Sequence, residues 1–523
     1  MIFRSPYPDI TIPEVPLTEL VLRHVEDLAD KPALIHGLTG RVMTYGELGE
    51  MVKRVAAGLA ERGFKKGDVF AIFSPNLLEY AVLFHAVLSL GGIATTVNPL
   101  YTVDELASQL SVARAKYLFT IPQLMSAAVE AKSRSNVQEI FVLGQAEGAT
   151  AFDSLLESEG RVPEVEINVH EDIAALPFSS GTTGLSKGVM LSHYNMVANL
   201  CQMEATDHTT DGDTLVAALP FFHIYGLHVI MNMGLYSGAT IVVMTRFDLE
   251  SFLHSIQRYG VTRAHIVPPI MLALAKQSIV DRYDLSKLKI VMSGAAPLRE
   301  EISRACAERL GCFIKQGYGM TEASPVTHMS PEDVDAIRHG SAGELVPNTE
   351  CKIVDLETGD ALGSNQEGEI CVRGPQVMLG YLNCAEETAR AIDSEGWLHT
   401  GDIGYADDAG FFYIVDRAKE LIKYKGFQVA PAELEAILLT HPAVADAAVI
   451  PSPDEEAGEV PKAFVVLKGD ATEEEIKDFV EVRVAPFKKI RKVEFIEQIP
   501  KSASGKILRR ILIQRERERK LEE

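Results

Sequence analysis

The chain is short of basic side chains, paired cysteines and long apolar runs, and each shortage removes a class of function. Its 523 residues include 50 Lys and Arg against 73 Asp and Glu, a formal charge of −23 at pH 7. Phosphate backbones and anionic membrane surfaces are held mainly by Lys and Arg, so a general nucleic-acid or membrane-surface binder is not expected. The six cysteines (Cys201, Cys306, Cys312, Cys351, Cys371, Cys384) form no C-x-x-C pair and have no histidines at zinc spacing. Reduced, mostly buried thiols in a cytosolic protein are the expectation. Residues 222–244 carry no Asp, Glu, Lys or Arg but contain His223, His228, Asn232 and a Ser237-Gly238 break. A buried helix followed by a buried strand is predicted there, not a membrane span. The N-terminal ten residues hold two prolines and no apolar signal core, and the final Lys-Leu-Glu-Glu matches neither the ER-retention nor the peroxisomal pattern. A cytoplasmic location is therefore expected. What remains is an ordinary globular composition, 47% hydrophobic and 24% charged, long enough for several domains.

The most informative stretch is residues 177–188, PFSSGTTGLSKG. Small and hydroxylated residues closed by a lysine can fold backbone N–H groups around an anion. The Walker A loop needs a hydroxyl directly after its lysine, whereas Lys187 follows Gly184 by three residues and precedes Gly188. A P-loop ATPase or kinase is disfavoured, and a polyphosphate-binding loop is not.

Periodicity predicts a helix over residues 17–28 and an amphipathic helix over 43–63 ended by Gly63. From Gly67 the order strand, helix, Gly91-Gly92, strand, helix, strand reads as parallel α/β. The same order returns from Gly212 with a Ser237-Gly238 break, so two similar α/β subdomains are expected. Residues 340–413 change to short alternating runs separated by turn residues, a small β-rich subdomain. A charged stretch with Gly426 follows, then a helix with Pro431 at its first position, and a compact α/β unit ending in the mixed-charge QRERERKLEE. The expected division is residues 1–417 as a large N-terminal domain and 418–523 as a small, mobile C-terminal α/β domain.

SSGTTGLSKG, YGMTE (318–322), TGD (400–402), DRAKELIKYKGFQ (416–428) and SASGK (502–506) occur in the order found in the adenylate-forming superfamily of acyl-CoA synthetases, luciferases and adenylation domains. GEICVRG, PFFHIYGL and KYKGFQVAPAELE most resemble the 4-coumarate:CoA ligases, including bacterial cinnamate ligases. The resemblance implies a two-step reaction. A carboxylate attacks the α-phosphorus of ATP to give acyl-AMP and diphosphate, and the thiol of coenzyme A then displaces AMP.

It also implies roles. Ser179, Ser180, Gly181, Thr182, Thr183 and Lys187 would hold the β- and γ-phosphates. Thr321 would contact the α-phosphate and Glu322 would hold Mg²⁺. Ala295, Gln316 and Gly317 would line the adenine and acyl side, with Tyr318 stacked on the base, Asp402 on the ribose hydroxyls and Arg417 beside them. Lys506 resembles the lysine that bridges carboxylate and α-phosphate. Lys419 would be the hinge about which the small domain rotates, bringing Lys423, Lys425, Gly426 and Gln428 to the nucleotide and CoA. His223 and Tyr225 resemble residues at the carboxylate end of the acyl tunnel, with Val229, Gly317, Pro325 and Val326 along it.

Four positions depart from the family pattern. Ser186 replaces a frequent proline of the loop, and Arg246 stands where plant coumarate ligases carry a CoA-contacting Lys. Met292 and Val229 replace a Lys and a small polar residue, which makes the acyl side more apolar. Cinnamate and a medium- or long-chain fatty acid therefore stand beside 4-coumarate as substrates, and a luciferase-like monooxygenase shares every nucleotide motif. An amino-acid-activating domain would need an acidic group near residues 221–223, where Phe221 and Phe222 stand.

Overall fold

The computed structural model describes residues 1–158, 160–179, 187–417, 420–424, 427–454, 457–502 and 505–522, without the side chains of 427, 428 and 520–522. Two nine-stranded sheets form its larger part. In the first, Val69–Phe73 lies between Ile93–Val97 and Ala115–Thr120; in the second, Thr214–Ala217 lies between Thr240–Val243 and Arg263–Ile266, and all these pairs are parallel. The two units thus share chain order and strand order, as their common sequence texture predicts. All five residues of Val69–Phe73 are buried, because helices cover both faces of such a sheet, and this is why the strand reads as an unbroken apolar run.

The helix Leu78–Ser89 packs on strands of the first sheet and on Pro32–His36 of the second. With a sheet on either side it is buried all round: Leu78 through Leu88 are all buried, which accounts for its lack of a polar face. Helix starts elsewhere are fixed locally. Thr44 accepts from the Glu47 backbone N–H while the Glu47 carboxylate accepts from Thr44 N–H, a capping box that opens Tyr45–Glu61 and contributes about 1 kcal/mol. Ser192 and Thr472 do the same for His193–Glu204 and Glu473–Glu481.

The predicted helix over residues 17–28 is shorter than its periodicity suggested, and only Leu17–Val21 is helical. Beyond it the chain runs in separate turns, with Val25 N–H bonded to Leu22 O and Leu28 N–H to His24 O. Val25 comes within 3.1 Å of the Cβ position of Gly49, so its apolar side chains pack on the neighbouring helix without needing helical phase. The uncharged stretch is a buried helix and strand: Tyr225–Asn232 is wound as a π-helix, Met233–Tyr236 continues it as α-helix, and Thr240–Val243 follows. Among the described residues no helix is long and apolar enough to cross a membrane. All six cysteines are free thiols, four of them buried.

A five-stranded antiparallel sheet joins Glu350–Val354, Gly368–Arg373, Leu398–Ala406 and Phe412–Arg417 to Phe3–Arg4 at its edge. The proline-punctuated N-terminal arm therefore supplies a strand that its sequence did not announce. The last sheet, built from Ile422–Tyr424, Phe427–Val429, Val444–Asp454, Gly458–Leu467 and Lys492–Phe495, has its own core around Ile422, Leu434, Val449, Val465 and Ile476. The helix Pro431–Leu438 begins on proline, whose missing N–H costs nothing in a first turn.

One glycine of the HIYGL stretch is required by space alone. A Cβ on Gly226 would lie 2.2 Å from the Pro220 carbonyl oxygen, a backbone atom that cannot step aside. Gly226→Ala is expected to destabilise the N-terminal part by about 1–3 kcal/mol, read as a lowered thermal midpoint; an unchanged midpoint would show that this turn yields.

Candidate active site

Strand pairing holds the two ends of the glycine-rich loop. Phe178 and Ser179 pair antiparallel with Gly188 and Lys187, so whatever path residues 180–186 take begins and ends at one point of the sheet. Ser180, Gly181, Thr182, Thr183 and Ser186 lie outside the described residues. At the loop base Ser179 Oγ donates to Glu322 Oε1 at 3.0 Å. Tyr381 Oη donates to the same oxygen at 2.9 Å, and Lys187 Nζ sits 5.1 Å above the Tyr381 ring. Tyr381 reaches this place because Gly380–Tyr381 adds to the strand Lys187–Ser192, with Val189 opposite Tyr381. The sequence motifs did not single it out. A Gly-Tyr pair before a turn is not chemically distinctive, and only the strand pairing brings it to the carboxylate.

Glu322 lies in the short helical turn Thr321–Ala323 and is 6% exposed. With both hydroxyls directed at Oε1, its carboxylate is held in one orientation while no described side chain donates to Oε2. Such a fixed, anionic oxygen suits a hard divalent cation carried with phosphate.

Pairing between strands brings the nucleotide side together. Tyr318, near the end of Phe313–Gly319, donates from Oη to Asp402 Oδ2 at 2.7 Å, and Arg417 Nε lies 3.3 Å from Asp402 Oδ1. Asp402 and Arg417 face each other across antiparallel strands, so the T-G-D triplet is part of a strand rather than a free turn. Burial pushes the Asp402 carboxyl up, against the opposing pull of Arg417, Tyr318 and Lys506. Gln316 accepts from Leu298 N–H at 3.3 Å. Ala295, exposed, is held at φ 68°, a left-handed conformation unusual for a residue with a Cβ. A Cβ on Gly317 would sit in van der Waals contact with His328 O at 3.4 Å and Met292 Sδ at 3.9 Å.

Lys506 comes from the far end of the chain. Gly505, at φ +78°, sets its Cβ position 3.3 Å from Val267 and 3.4 Å from Pro269 of the second sheet's helix Pro268–Lys276. That contact lays the following lysine against the site. Burial lowers the Lys506 amine to about 8; Arg417 adds to the depression, and Glu420 and Asp402 oppose it. His223 is lowered to about 4 by burial and then by the Lys506 charge, so its imidazole is neutral at pH 7. Its Nδ1 accepts from Tyr225 N–H at 3.2 Å. The Tyr225 ring passes the Gly294 Cβ position at 3.0 Å, and its hydroxyl reaches Met292 O at 3.4 Å.

Met292, Val229 and Val326 are buried, as an apolar acyl side requires, and Pro325 O accepts from Met320 N–H at 3.0 Å. Behind Tyr225, however, the structure places polar groups that the sequence did not reveal. The His265 ring stands edge-on to Tyr225 at 6.1 Å, and its Nδ1 has no hydrogen-bond partner among the described residues. Beside it Lys315 and Arg263 both pair with the buried Asp207, each at 2.9 Å.

Not every predicted residue joins this group. Lys423 is exposed, with Glu459 on its backbone N–H, and stands opposite Gln428 where the strands Ile422–Tyr424 and Phe427–Val429 pair. Arg246 is exposed beyond the strand Thr240–Val243. Lys419, Lys425 and Gly426 lie outside the described residues, as does the side chain of Gln428.

A profile of the AMP-binding enzyme family matches residues 21–382, and one of the AMP-binding enzyme C-terminal domain matches residues 433–506. The chain is similar to 4-coumarate–CoA ligase 5 of Oryza sativa subsp. japonica, at 45% identity over 98% of this chain and 96% of the relative. It is similar also to 4-coumarate–CoA ligase 1 of Petroselinum crispum, at 46% identity with the same coverage. Among solved structures it resembles an anthranilate CoA ligase in complex with anthranoyl-AMP, with a TM-score of 0.88 and 26% identity over 96% of this chain and 98% of that one. The o-succinylbenzoate CoA synthetase of Bacillus subtilis in complex with its acyl-adenylate intermediate gives 0.84 and 30%, with the same coverage.

Tyr381→Phe removes one of the two hydroxyls that orient Glu322. ATP affinity measured calorimetrically is expected to fall about five-fold, the worth of roughly 1 kcal/mol, with the thermal midpoint unchanged. A lower midpoint with unaltered ATP affinity would make Tyr381 structural only.

Proposed function

The chain belongs to the AMP-binding enzyme family, and on that premise we propose that it is an ATP-dependent acid:CoA ligase acting on a 4-coumarate- or cinnamate-type aryl acid. The observation that carries the mechanism is the placement of Gly505 beside Val267 and Pro269, which sets the Lys506 charge within electrostatic reach of Asp402, Arg417 and His223. A cation delivered by the C-terminal unit meets the nucleotide and acyl sides at one point. The substrate class is supported by the full-length similarity to 4-coumarate–CoA ligases.

A carboxylate is a poor electrophile, so activation as a mixed anhydride must precede the thioester. In the first half-reaction an acid oxygen bonds to the α-phosphorus and the bond to the diphosphate breaks. Negative charge spreads over phosphoryl oxygens, and the catalyst mainly supplies fixed cations and amide donors. Lys506 bridges the carboxylate and α-phosphate, Lys187 and the loop after Ser179 hold the diphosphate, and Thr321 reaches the α-phosphate. Asp402 accepts from the ribose hydroxyls once its bond from Tyr318 is exchanged, and Arg417 opposes the upward push of burial on that carboxyl. Glu322, oriented by Ser179 and Tyr381, would hold Mg²⁺, which would supply neutralisation of the phosphate charge. Docking of the C-terminal unit through Gly505 also shields the anhydride from water. In the second half-reaction the CoA sulfur attacks the acyl carbon and AMP leaves. Lys423 and Arg246 are exposed, and the small unit, 418–523, turns about Lys419 to bring Lys423 and Gln428 to the thiol.

Incubation with ATP, Mg²⁺, CoA and a panel of cinnamic and fatty acids is expected to release AMP and diphosphate, fastest with an aryl acid; ADP as product would sink the mechanism. Lys506→Ala should slow adenylation by a factor of about 10² or more while sparing the reaction of supplied acyl-AMP with CoA. Loss of both half-reactions together would show that Lys506 does not act on the adenylation step alone.

The pH dependence has a definite sign. Lys506 is lowered to about 8 against the usual 10.5, so its charged form predominates below that value and is lost as pH rises through it. The kcat/KM of ATP–diphosphate exchange, which reports the free enzyme, is expected to decline above about pH 8. A profile that stays flat well into the alkaline range would show that the step does not need this charge.

A further inference from the structure

The β-rich subdomain carries a second cluster of reactive side chains, on the strand pair that also bears Asp402. Cys371 and His399 face each other across the strands Gly368–Arg373 and Leu398–Ala406. Glu369 lies two residues before Cys371, hence on the same face. The alternation of the sheet therefore delivers a thiol, an imidazole and a carboxylate to one spot. His399 Nδ1 is 2.9 Å from Glu369 Oε2 and 3.4 Å from Cys371 Sγ, and the three donor atoms lie within 4.8 Å of one another.

These separations are close to the edges of a metal tetrahedron. With Zn–N near 2.0–2.1 Å, Zn–S near 2.3 Å and Zn–O near 2.0–2.2 Å, neighbouring donors stand about 3.4–3.6 Å apart, so small side-chain shifts open the observed triangle to that size. The outer support is present as well. Asp393 Oδ2 lies 3.5 Å from His399 Nε2, the carboxylate–imidazole arrangement that orients a metal-bound histidine. Asp393 is itself fixed, its Oδ1 accepting from the backbone N–H groups of Glu395 at 2.9 Å and Trp397 at 3.0 Å. Lys352 Nζ donates to the same Asp393 Oδ2 at 3.4 Å and also lies 4.8 Å over the Trp397 ring. The His399 side chain is 30% exposed and that of Glu369 18%, which leaves an entry path and room for a water as fourth ligand.

We propose that Cys371, His399 and Glu369 form a binding site for a thiophilic divalent cation, zinc by preference, with Asp393 as the positioning residue. The mixed sulfur, nitrogen and oxygen set excludes magnesium and calcium, which take oxygen donors. It is distinct from the Glu322 site, which offers oxygen alone. Binding displaces the thiol proton of Cys371, and the cation takes its place against the sulfur. The site adjoins the nucleotide group, because Glu369 Oε1 accepts from Gly401 N–H at 3.0 Å, one residue before Asp402.

The test is a titration of the full-length, metal-free protein with Co²⁺, whose tetrahedral thiolate complexes absorb in the near ultraviolet and visible. One equivalent is expected to give a thiolate charge-transfer band that Zn²⁺ bleaches. His399→Gln and Cys371→Ser should each remove it, and Asp393→Asn should weaken binding about ten-fold or more. Because the buried Cys371 could fail to fold as serine, the partly exposed His399 provides the second variant, with circular dichroism confirming the fold of each. Absence of the band overturns the proposal, as does a band that survives His399→Gln, which would place the cation on another thiol.

Discussion

A lysine amine half-buried beside an arginine is the constraint to which the rest of the molecule is fitted. Desolvation and the like charge of Arg417 both oppose the ammonium form of Lys506, and Asp402 and Glu420 offset only part of that. In the proposed mechanism a phosphate brought to this point would replace lost hydration with a partner and relieve the repulsion between the two cations. The same charge balance holds Asp402, whose burial raises it while Arg417 and Lys506 draw it back. Neither side of the site is at ease without a ligand between them, a pattern typical of groups selected for chemistry rather than stability.

The scaffold meets this demand by separating what must be rigid from what must move. The phosphate side stands on strand pairing: Ser179 and Lys187 face each other, and Tyr381 is added to the same strand. The ribose side stands on the ladder between Asp402 and Arg417. Lys506 is held by its own turn, its N–H donating to Ser502 Oγ at 3.1 Å and its carbonyl accepting from Ser502 N–H at 2.8 Å. Ion pairs of Arg509 with Glu435 at 2.7 Å and with Glu420 anchor the C-terminal helix to the chain leaving Arg417.

Much of this was legible without coordinates because it repeats at short range. The 3.6-residue and two-residue periods and the glycines that end helices each act within a few residues. The two α/β units were recognisable from matching texture, and the helix starting at Pro431 begins where it was expected. The helix over residues 17–28 was overextended because Val25 and Leu28 pack through turns, and apolar spacing cannot distinguish a continuous helix from turns that meet the same neighbour.

The amino-acid sequence by itself determined the class of chemistry: a phosphate loop without Walker spacing, an acidic residue in YGMTE, and a lysine in a Ser-Gly turn, in one order along the chain. It determined these because motif residues act on ligand atoms through their own functional groups. The tertiary structure alone decided which groups meet. Tyr381 on Glu322, His265 behind Tyr225, and Cys371 across from His399 arise from pairings between segments distant in the chain. No local period encodes them, because strand register and sheet order are set by burial of the whole core.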